Sequence, residues 1–192
     1  MLAAPFYVAC GLLIASGIAK VVRPATAVAA LEAARLRGGA LAARALGIVE
    51  VVVGGLALWR PAVPTAGAVA VLYLGFALFL VRLIRLGGAS TCGCVGSREA
   101  PPSPLHVALD LIAVAASVAV AAWPVPSLVA AVDASAFAGV PLVIGLVGAG
   151  ALLAVAAAEV PQAWRSYRPS HEQHAHGPAS GPRQIALVER PR

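Results

Sequence analysis

Charged and aromatic residues are scarce in this chain of 192 residues, at 11% and 5% of the sequence. Soluble domains carry about a quarter charged residues. A single soluble core of this length cannot bury an apolar fraction of 60%. The composition therefore excludes an ordinary soluble enzyme and, with a mean hydropathy of +0.89, a disordered chain. It predicts a polytopic membrane protein.

Several signatures that would indicate a function directly are also missing. The sequence has no Gly-rich phosphate-binding loop, no recognisable Ser/His/Asp arrangement and no haem-attachment motif. No basic segment precedes the first apolar stretch, so we expect that stretch to be retained rather than removed as a secretory signal. Any chemistry must therefore come from the few polar groups that lie among the apolar segments.

Long apolar runs make up most of the chain. They predict five transmembrane helices, at about 3–22, 40–59, 62–81, 104–123 and 137–158, because each run is long enough to cross a hydrocarbon core of about 30 Å. The segment 24–37 begins with Pro24, has one apolar face and is followed by Gly38 and Gly39. It is too short to span, so we predict a short helix at the membrane interface.

The predicted fold is therefore all-α, with the five-helix transmembrane bundle and the interfacial helix in residues 1–160. Residues 161–192 are polar and rich in Pro, Arg and His. Such a segment has too little apolar content to pack, so we expect a disordered cytoplasmic tail.

The basic residues are distributed asymmetrically about these helices. Of the 14 Lys and Arg residues, only Arg60 belongs to the second loop; the others lie in or beside the first loop, the third loop and the tail. Because cytoplasmic segments carry an excess of Lys and Arg, we predict a multi-pass protein of the cell inner (plasma) membrane with the N-terminus outside and the C-terminus in the cytoplasm. The net charge of +6 then reports sidedness in the lipid bilayer and requires no nucleic acid partner.

Six residues with ionisable or reactive side chains are predicted to lie in the same half of the membrane. They are Lys20, Glu50, Cys92, Cys94, His106 and Asp110. Ionisable groups inside a membrane are costly and usually face the bundle interior or water. Glu50 has two interpretations. In the structural one it is a partner of Lys20 or a protonated, hydrogen-bonded acid. In the functional one it moves protons or binds a ligand. Asp110 shares a helix face with His106. It is either a structural residue near the interface, hydrated or paired with Arg98, or a functional group that carries protons or binds a ligand.

The segment Cys92-Gly93-Cys94 is the most reactive feature of the sequence. The thiolate is the nucleophile in thiol–disulfide exchange, and a polar loop gives access to it. Gly93 lets the backbone bend enough to bring the two sulfurs together, and the small ring that results is strained and readily reduced. Nearby Arg98 and Lys20 would favour the thiolate. The alternative is a pair of small loop residues without a role.

A metal site is another interpretation of the same residues. Ligand types that suit Zn²⁺ or Cu⁺ are found at Cys92, Cys94, His106 and Asp110. The tail adds three histidines on the same predicted side, namely His171, His174 and His176. The third cysteine, Cys10, lies in the middle of the first predicted span. It either packs as a small apolar residue or resolves a mixed disulfide.

Three motifs form an ordered set along the chain. The first span ends in Gly17-x-x-Lys20, the second contains Glu50, and Cys92-Gly93-Cys94 precedes the fourth. In order and spacing, these motifs resemble the MauE family, the methylamine-utilisation membrane proteins, which are related to DoxX-like proteins. The resemblance covers residues 3–125. It departs from the family at Val95, where Phe is more common.

The resemblance implies a membrane factor that matures the disulfide-rich small subunit of methylamine dehydrogenase through a thiol-redox or electron-relay role. Carried onto this chain, Cys92 and Cys94 would be the catalytic pair. The supporting residues are Lys20, Glu50, His106 and Asp110, of which Lys20, Glu50 and Asp110 would tune protonation. A thioredoxin-like protein or the client is the expected partner. No motif requires a cofactor, although a quinone is possible. Two alternative functions stay open: a metal-binding or transport protein, and a non-catalytic assembly factor.

Overall fold

The computed structural model describes residues 3–86, 103–123, 125–133, 144–145, 147–152 and 155. It contains six assigned helices: α1 (Ala3–Val22), α2 (Pro24–Ala33), α3 (Ala40–Trp59), α4 (Val63–Arg85), α5 (Pro104–Ala122) and α6 (Leu128–Asp133). No strand occurs among the described residues, so the all-α prediction is confirmed for that part of the chain.

Four of these helices, α1, α3, α4 and α5, are long and apolar enough to cross a membrane. Their bounds agree with the first four predicted spans to within a few residues, and α4 differs most because its apolar sequence continues to Arg85. Their outer faces are apolar, with Leu41 83% and Leu78 63% exposed, as lipid contact requires.

The fifth predicted span, 137–158, lies mostly outside the described residues. Those described within it, 144–145, 147–152 and 155, are helical. The predicted tail, 161–192, lies entirely outside the described part of the chain. A bundle of five spans therefore stays a prediction, while the described residues contain four helices that are long and apolar enough to span a membrane.

The α1 and α3 helices pack as an antiparallel pair along small residues. A Cβ added at Gly17 would lie 2.5 Å from the backbone oxygen of Gly47, and one added at Gly54 would lie 3.0 Å from that of Cys10. Small residues let membrane helices approach closely. By contrast, a Cβ at Gly55, on the same helix α3, would meet nothing within 4 Å.

The α4 and α5 helices form a second pair, and two hydrogen bonds join it to the first pair and to α2. The Tyr73 hydroxyl donates to the Ala9 carbonyl at 2.7 Å, and Arg82 Nε donates to the Ala34 carbonyl at 2.7 Å. The second bond brings the C-terminal end of α4 beside the end of α2. The first loop and the end of α4, which carry most of the described basic residues, therefore share one end of the bundle.

The α2 helix ends earlier than the sequence predicted. Its last residue is Ala33, and the backbone turns at Arg35, whose φ is 54°. The N–H groups of Arg35 and Leu36 donate back to carbonyls of the last helical turn at 2.9 Å, which is the Schellman ending. The prediction that the helix extends to the Gly38-Gly39 pair is wrong, because an arginine in the left-handed conformation ends it first. Its location at the membrane interface stays a prediction.

Candidate functional site

A buried ion pair joins α1 to α3. Lys20 Nζ donates to Glu50 Oε2 at 2.8 Å and to Ser16 Oγ at 2.5 Å. Both charged side chains are buried, Glu50 completely. Lys20 follows Gly17 by three residues, and Glu50 follows Gly47 by three residues. The two side chains therefore meet beside the point where the two backbones approach most closely.

An aromatic ring from a third helix borders the same ammonium group. Phe76 lies on α4, and its ring centroid is 5.2 Å from Lys20 Nζ, within the range of a cation–π interaction. A helical side chain leans toward the N-terminus of its helix, which carries the amino group of Lys20 back to the level of Ser16. Three helices thus hold one positive charge inside the bundle.

Two carboxylate oxygens in the described part of the chain are buried without a hydrogen-bond partner. They are Glu50 Oε1 and Asp110 Oδ2. Most buried polar atoms in proteins have a partner, and leaving one unsatisfied costs about 1–3 kcal/mol. Each of these oxygens is therefore a position at which a proton or the hydrogen-bond donor of a ligand would be stabilised.

A cavity of about 610 Å³ is bordered by α1, α2, α3, α4 and α5. Its lining is mostly aliphatic and aromatic, and the polar side chains that reach it are Ser16, Lys20, Tyr73, Arg37, His106 and Asp110. Glu50 does not line the cavity but lies behind Lys20. Lys20 therefore contacts one acid inside the helix pair and borders the same cavity as a second acid, Asp110.

The first two turns of α5 present His106 and Asp110 to this cavity. Ser103 precedes the helix and Pro104 occupies its first turn, where a missing N–H does no harm. Ser103 Oγ lies 2.8 Å from His106 Nδ1, which orients the ring. Both His106 and Asp110 line the cavity, so the predicted shared helix face is confirmed.

Cys92 and Cys94 lie outside the described residues, and so do Arg98, His171, His174 and His176. In the sequence, the two cysteines stand between Leu86, just after α4, and Ser103, just before α5. Among the residues described, no group of three His, Cys, Asp or Glu side chains could hold a metal ion. The metal interpretation involving Cys92, Cys94 and His106 stays a prediction.

The third cysteine lies in the apolar core. Cys10 is fully buried and free, and it packs with residues such as Phe6 and Leu13. This surrounding agrees with the packing interpretation of Cys10. Burial also separates its thiol from any partner that approaches from water.

Four of the six predicted site residues come together in one half of the bundle, namely Lys20, Glu50, His106 and Asp110. Three residues that contact them were not predicted from the sequence. Ser16 is one helical turn before Lys20 and Ser103 is three residues before His106, so helical spacing could have found both. Phe76 comes from another helix, and no local pattern announces such a contact.

No curated protein and no solved structure matches the chain. A family model described as Methylamine utilisation protein MauE matches residues 1–124, a range that contains the charged site as well as Cys92 and Cys94. With four helices that are long and apolar enough to cross a membrane, the chain is a multi-pass membrane protein and belongs to the MauE family of methylamine-utilisation proteins.

Proposed function

We propose that this protein is a membrane-embedded thiol–disulfide exchange factor in which Cys92 and Cys94 are the exchanging pair. In its oxidised form the pair is a disulfide that a thiolate of a partner attacks, which forms a mixed disulfide and frees one of the two cysteines. The second thiol of the partner then attacks the mixed disulfide. The partner leaves with a new disulfide, and Cys92 and Cys94 retain its two electrons and two protons.

The observation that carries this proposal is the gathering of Lys20, His106 and Asp110 around one cavity, at the end of the bundle where α5 begins. The segment that contains both cysteines runs, in sequence, from the end of α4 to the start of α5. Thiol–disulfide exchange is favoured by a nearby cation, which increases the thiolate fraction, and by groups that give and take protons. Lys20 supplies the cation, while His106 and Asp110 supply the proton-carrying groups.

The family description supports a role in methylamine utilisation. Within that role, the client that we propose is the disulfide-rich small subunit of methylamine dehydrogenase. The excess of basic residues at this end of the bundle supports a cytoplasmic location for the exchanging pair. From that side, the exchanging pair would take electrons from a thioredoxin-like dithiol and act as a relay toward the membrane.

Counting accessible thiols in denatured protein tests the exchanging pair. The chain has three cysteines; a disulfide between two of them leaves only Cys10 to react. We therefore expect three maleimide tags on reduced protein and one on protein oxidised in the membrane, resolved as mass shifts on a gel. Cys92→Ser should carry two tags in both states, because its remaining two cysteines no longer form the pair.

The matched control is Cys10→Ala, which keeps the pair and removes the buried thiol. It should carry two tags when reduced and none when oxidised, since only Cys92 and Cys94 remain. The proposal fails if wild-type protein carries three tags in both states, or if a redox-dependent shift persists in Cys92→Ser. If the tag counts are as expected, Cys94→Ser should trap a partner as a mixed disulfide at Cys92. That partner is the protein with which the pair exchanges.

A further inference from the structure

We propose that the cavity of about 610 Å³ binds a lipid-soluble quinone, which accepts the electrons that the exchanging pair has collected. That these electrons come from Cys92 and Cys94 rests on the proposed function. When the dithiol of Cys92 and Cys94 closes to a disulfide, it forms one S–S bond and loses two electrons and two protons. The quinone takes up both electrons and both protons and becomes the quinol, so the step balances without another co-reactant.

The size and the lining of the cavity suit such a molecule. Small-molecule sites have volumes of about 300–1,000 Å³ and are mainly apolar with a few polar groups at defined positions. Here the apolar lining includes Leu13, Phe76 and Phe79, which provide the surface for a ring and the start of a hydrocarbon tail. Because four helices of membrane-spanning length surround it, a ligand that reaches the cavity through lipid fits better than one that arrives from water.

The polar groups provide both a donor and an acceptor, and these match the two redox forms. An ammonium group has three N–H donors, and Glu50 and Ser16 accept two of those of Lys20. The third is available to a quinone carbonyl. Asp110 Oδ2 is a buried acceptor without a partner among the described residues, and a quinol hydroxyl is a donor. A hydrocarbon chain would satisfy neither group.

His106 gives the same cavity a group through which protons can pass. Its Nδ1 is engaged by Ser103 Oγ at 2.8 Å, so the ring is held and Nε2 is the nitrogen left to exchange a proton. His106 and Asp110 are one helical turn apart and both border the cavity. A proton taken from the end of the bundle at His106 therefore has a second carrier one turn further along α5.

Binding of a short-chain benzoquinone tests the site directly. The quinone is titrated calorimetrically into purified full-length protein in lipid nanodiscs, and an alkylbenzene of equal tail length, without ring oxygens, is titrated in parallel. We expect the quinone to bind at least about tenfold more tightly, since one good hydrogen bond is worth about that factor. The corresponding hydroquinone is titrated as well, because its hydroxyl can donate to Asp110: Asp110→Leu should weaken hydroquinone binding by about tenfold and leave the affinity for the quinone unchanged.

A matched pair of glycine substitutions on α4 separates occupation of the cavity from general damage. Gly75 lines the cavity and Gly67 does not, yet a Cβ at either position would meet nothing within 4 Å. Gly75→Leu adds a bulky side chain at the cavity wall, beginning from a Cβ in open space, and should weaken quinone binding by at least about tenfold. Gly67→Leu adds the same side chain elsewhere on the helix and should leave the affinity unchanged.

The inference is overturned if the quinone and the alkylbenzene bind wild-type protein equally, which would indicate a lipid-chain cavity, or if Gly75→Leu and Gly67→Leu bind quinone alike. Its failure is distinguishable from that of the thiol proposal. Cys92→Ser should still bind quinone but should no longer pass electrons to it. A redox-dependent change in thiol tags without quinone binding defeats only the quinone site, and the reverse pattern defeats only the exchanging pair.

Discussion

At the scale of single residues, the contact between Lys20 and Glu50 is the central one in the bundle. Removing two charges from water is expensive, and their attraction repays the cost only when the geometry is good. Here Lys20 donates to Glu50 Oε2 at 2.8 Å and to Ser16, while Glu50 Oε1 keeps no partner among the described residues. One oxygen of Glu50 thus has the structural role of pairing with Lys20. The other oxygen is open to a functional role, such as binding a proton or a ligand.

Removing one member of the pair should destabilise the protein far more than removing both. Glu50→Leu leaves Lys20 buried without its partner, and we expect a loss of about 3 kcal/mol in unfolding free energy. Lys20→Met combined with Glu50→Leu should recover most of this loss, because no uncompensated charge remains. Unfolding in mixed micelles of the two single variants and the double variant gives the coupling energy.

The double variant also tells a structural role from a functional one. If the pair only holds α1 to α3, the double variant will be stable and will keep the redox-dependent change in thiol tags. If the pair also tunes protonation, the double variant will be stable and will lose that change. Equal losses of stability in Glu50→Leu and the double variant would contradict the buried ion pair itself.

At the scale of elements, the glycine contact between α1 and α3 sets how closely these helices pack. A Cβ at Gly47 would lie 2.6 Å from the carbonyl oxygen of Gly17 and 3.0 Å from the Cβ of Lys20. Both are distances at which the backbone or the side chain must shift. The contact therefore controls the spacing on which the ion pair depends.

Gly47→Ala should destabilise the bundle by about 1–3 kcal/mol, as overpacking of a tight interface does. Its control is Gly55→Ala on the same helix, where the added methyl group meets nothing within 4 Å. Replacing that glycine should be neutral or stabilise α3 by about 0.5–1 kcal/mol, because alanine is the better helix former. Thermal unfolding of the two variants checks this, and equal effects would refute the close approach.

The helices were the most predictable elements because lipid imposes both a length and a composition on them. The bounds of α1 and α3 could be predicted closely for this reason. The end of α2 could not, since a non-glycine residue in the left-handed conformation, here Arg35, has no reliable sequence signal. The site was predictable to the extent that scarce charges must find partners inside a bundle, which brought Lys20 to Glu50 but gave no indication of Phe76.

At the scale of the whole molecule, the described basic residues divide between the two ends of the bundle. Arg60 follows α3, and Arg85 ends α4. The two positions are exposed and are separated by the length of α4. The excess of Lys and Arg near Arg85 predicts that this end of the bundle faces the cytoplasm.

Cysteine labelling of intact cells tests this orientation. In a variant without native cysteines, Arg60→Cys should react with a membrane-impermeant maleimide in intact cells. Arg85→Cys should react only after the cells have been permeabilised, because we predict that its end of the bundle is cytoplasmic. The reverse pattern would put the end that contains the site outside, and the electron donor would then have to be sought on that side.

The ion pair has a further consequence for the way in which the chain enters the bilayer. A lone charged residue costs most at the centre of a membrane helix, about 2.5–3.5 kcal/mol during insertion, and Glu50 lies near the middle of α3. Lys20 and Glu50 belong to the first two long helices of the chain, so synthesis delivers both charges before α4 and α5 exist. We expect α1 and α3 to enter as a hairpin whose charges already neutralise each other. Asp110 would then arrive after the pair has formed, when Lys20 already donates to Glu50 and Ser16.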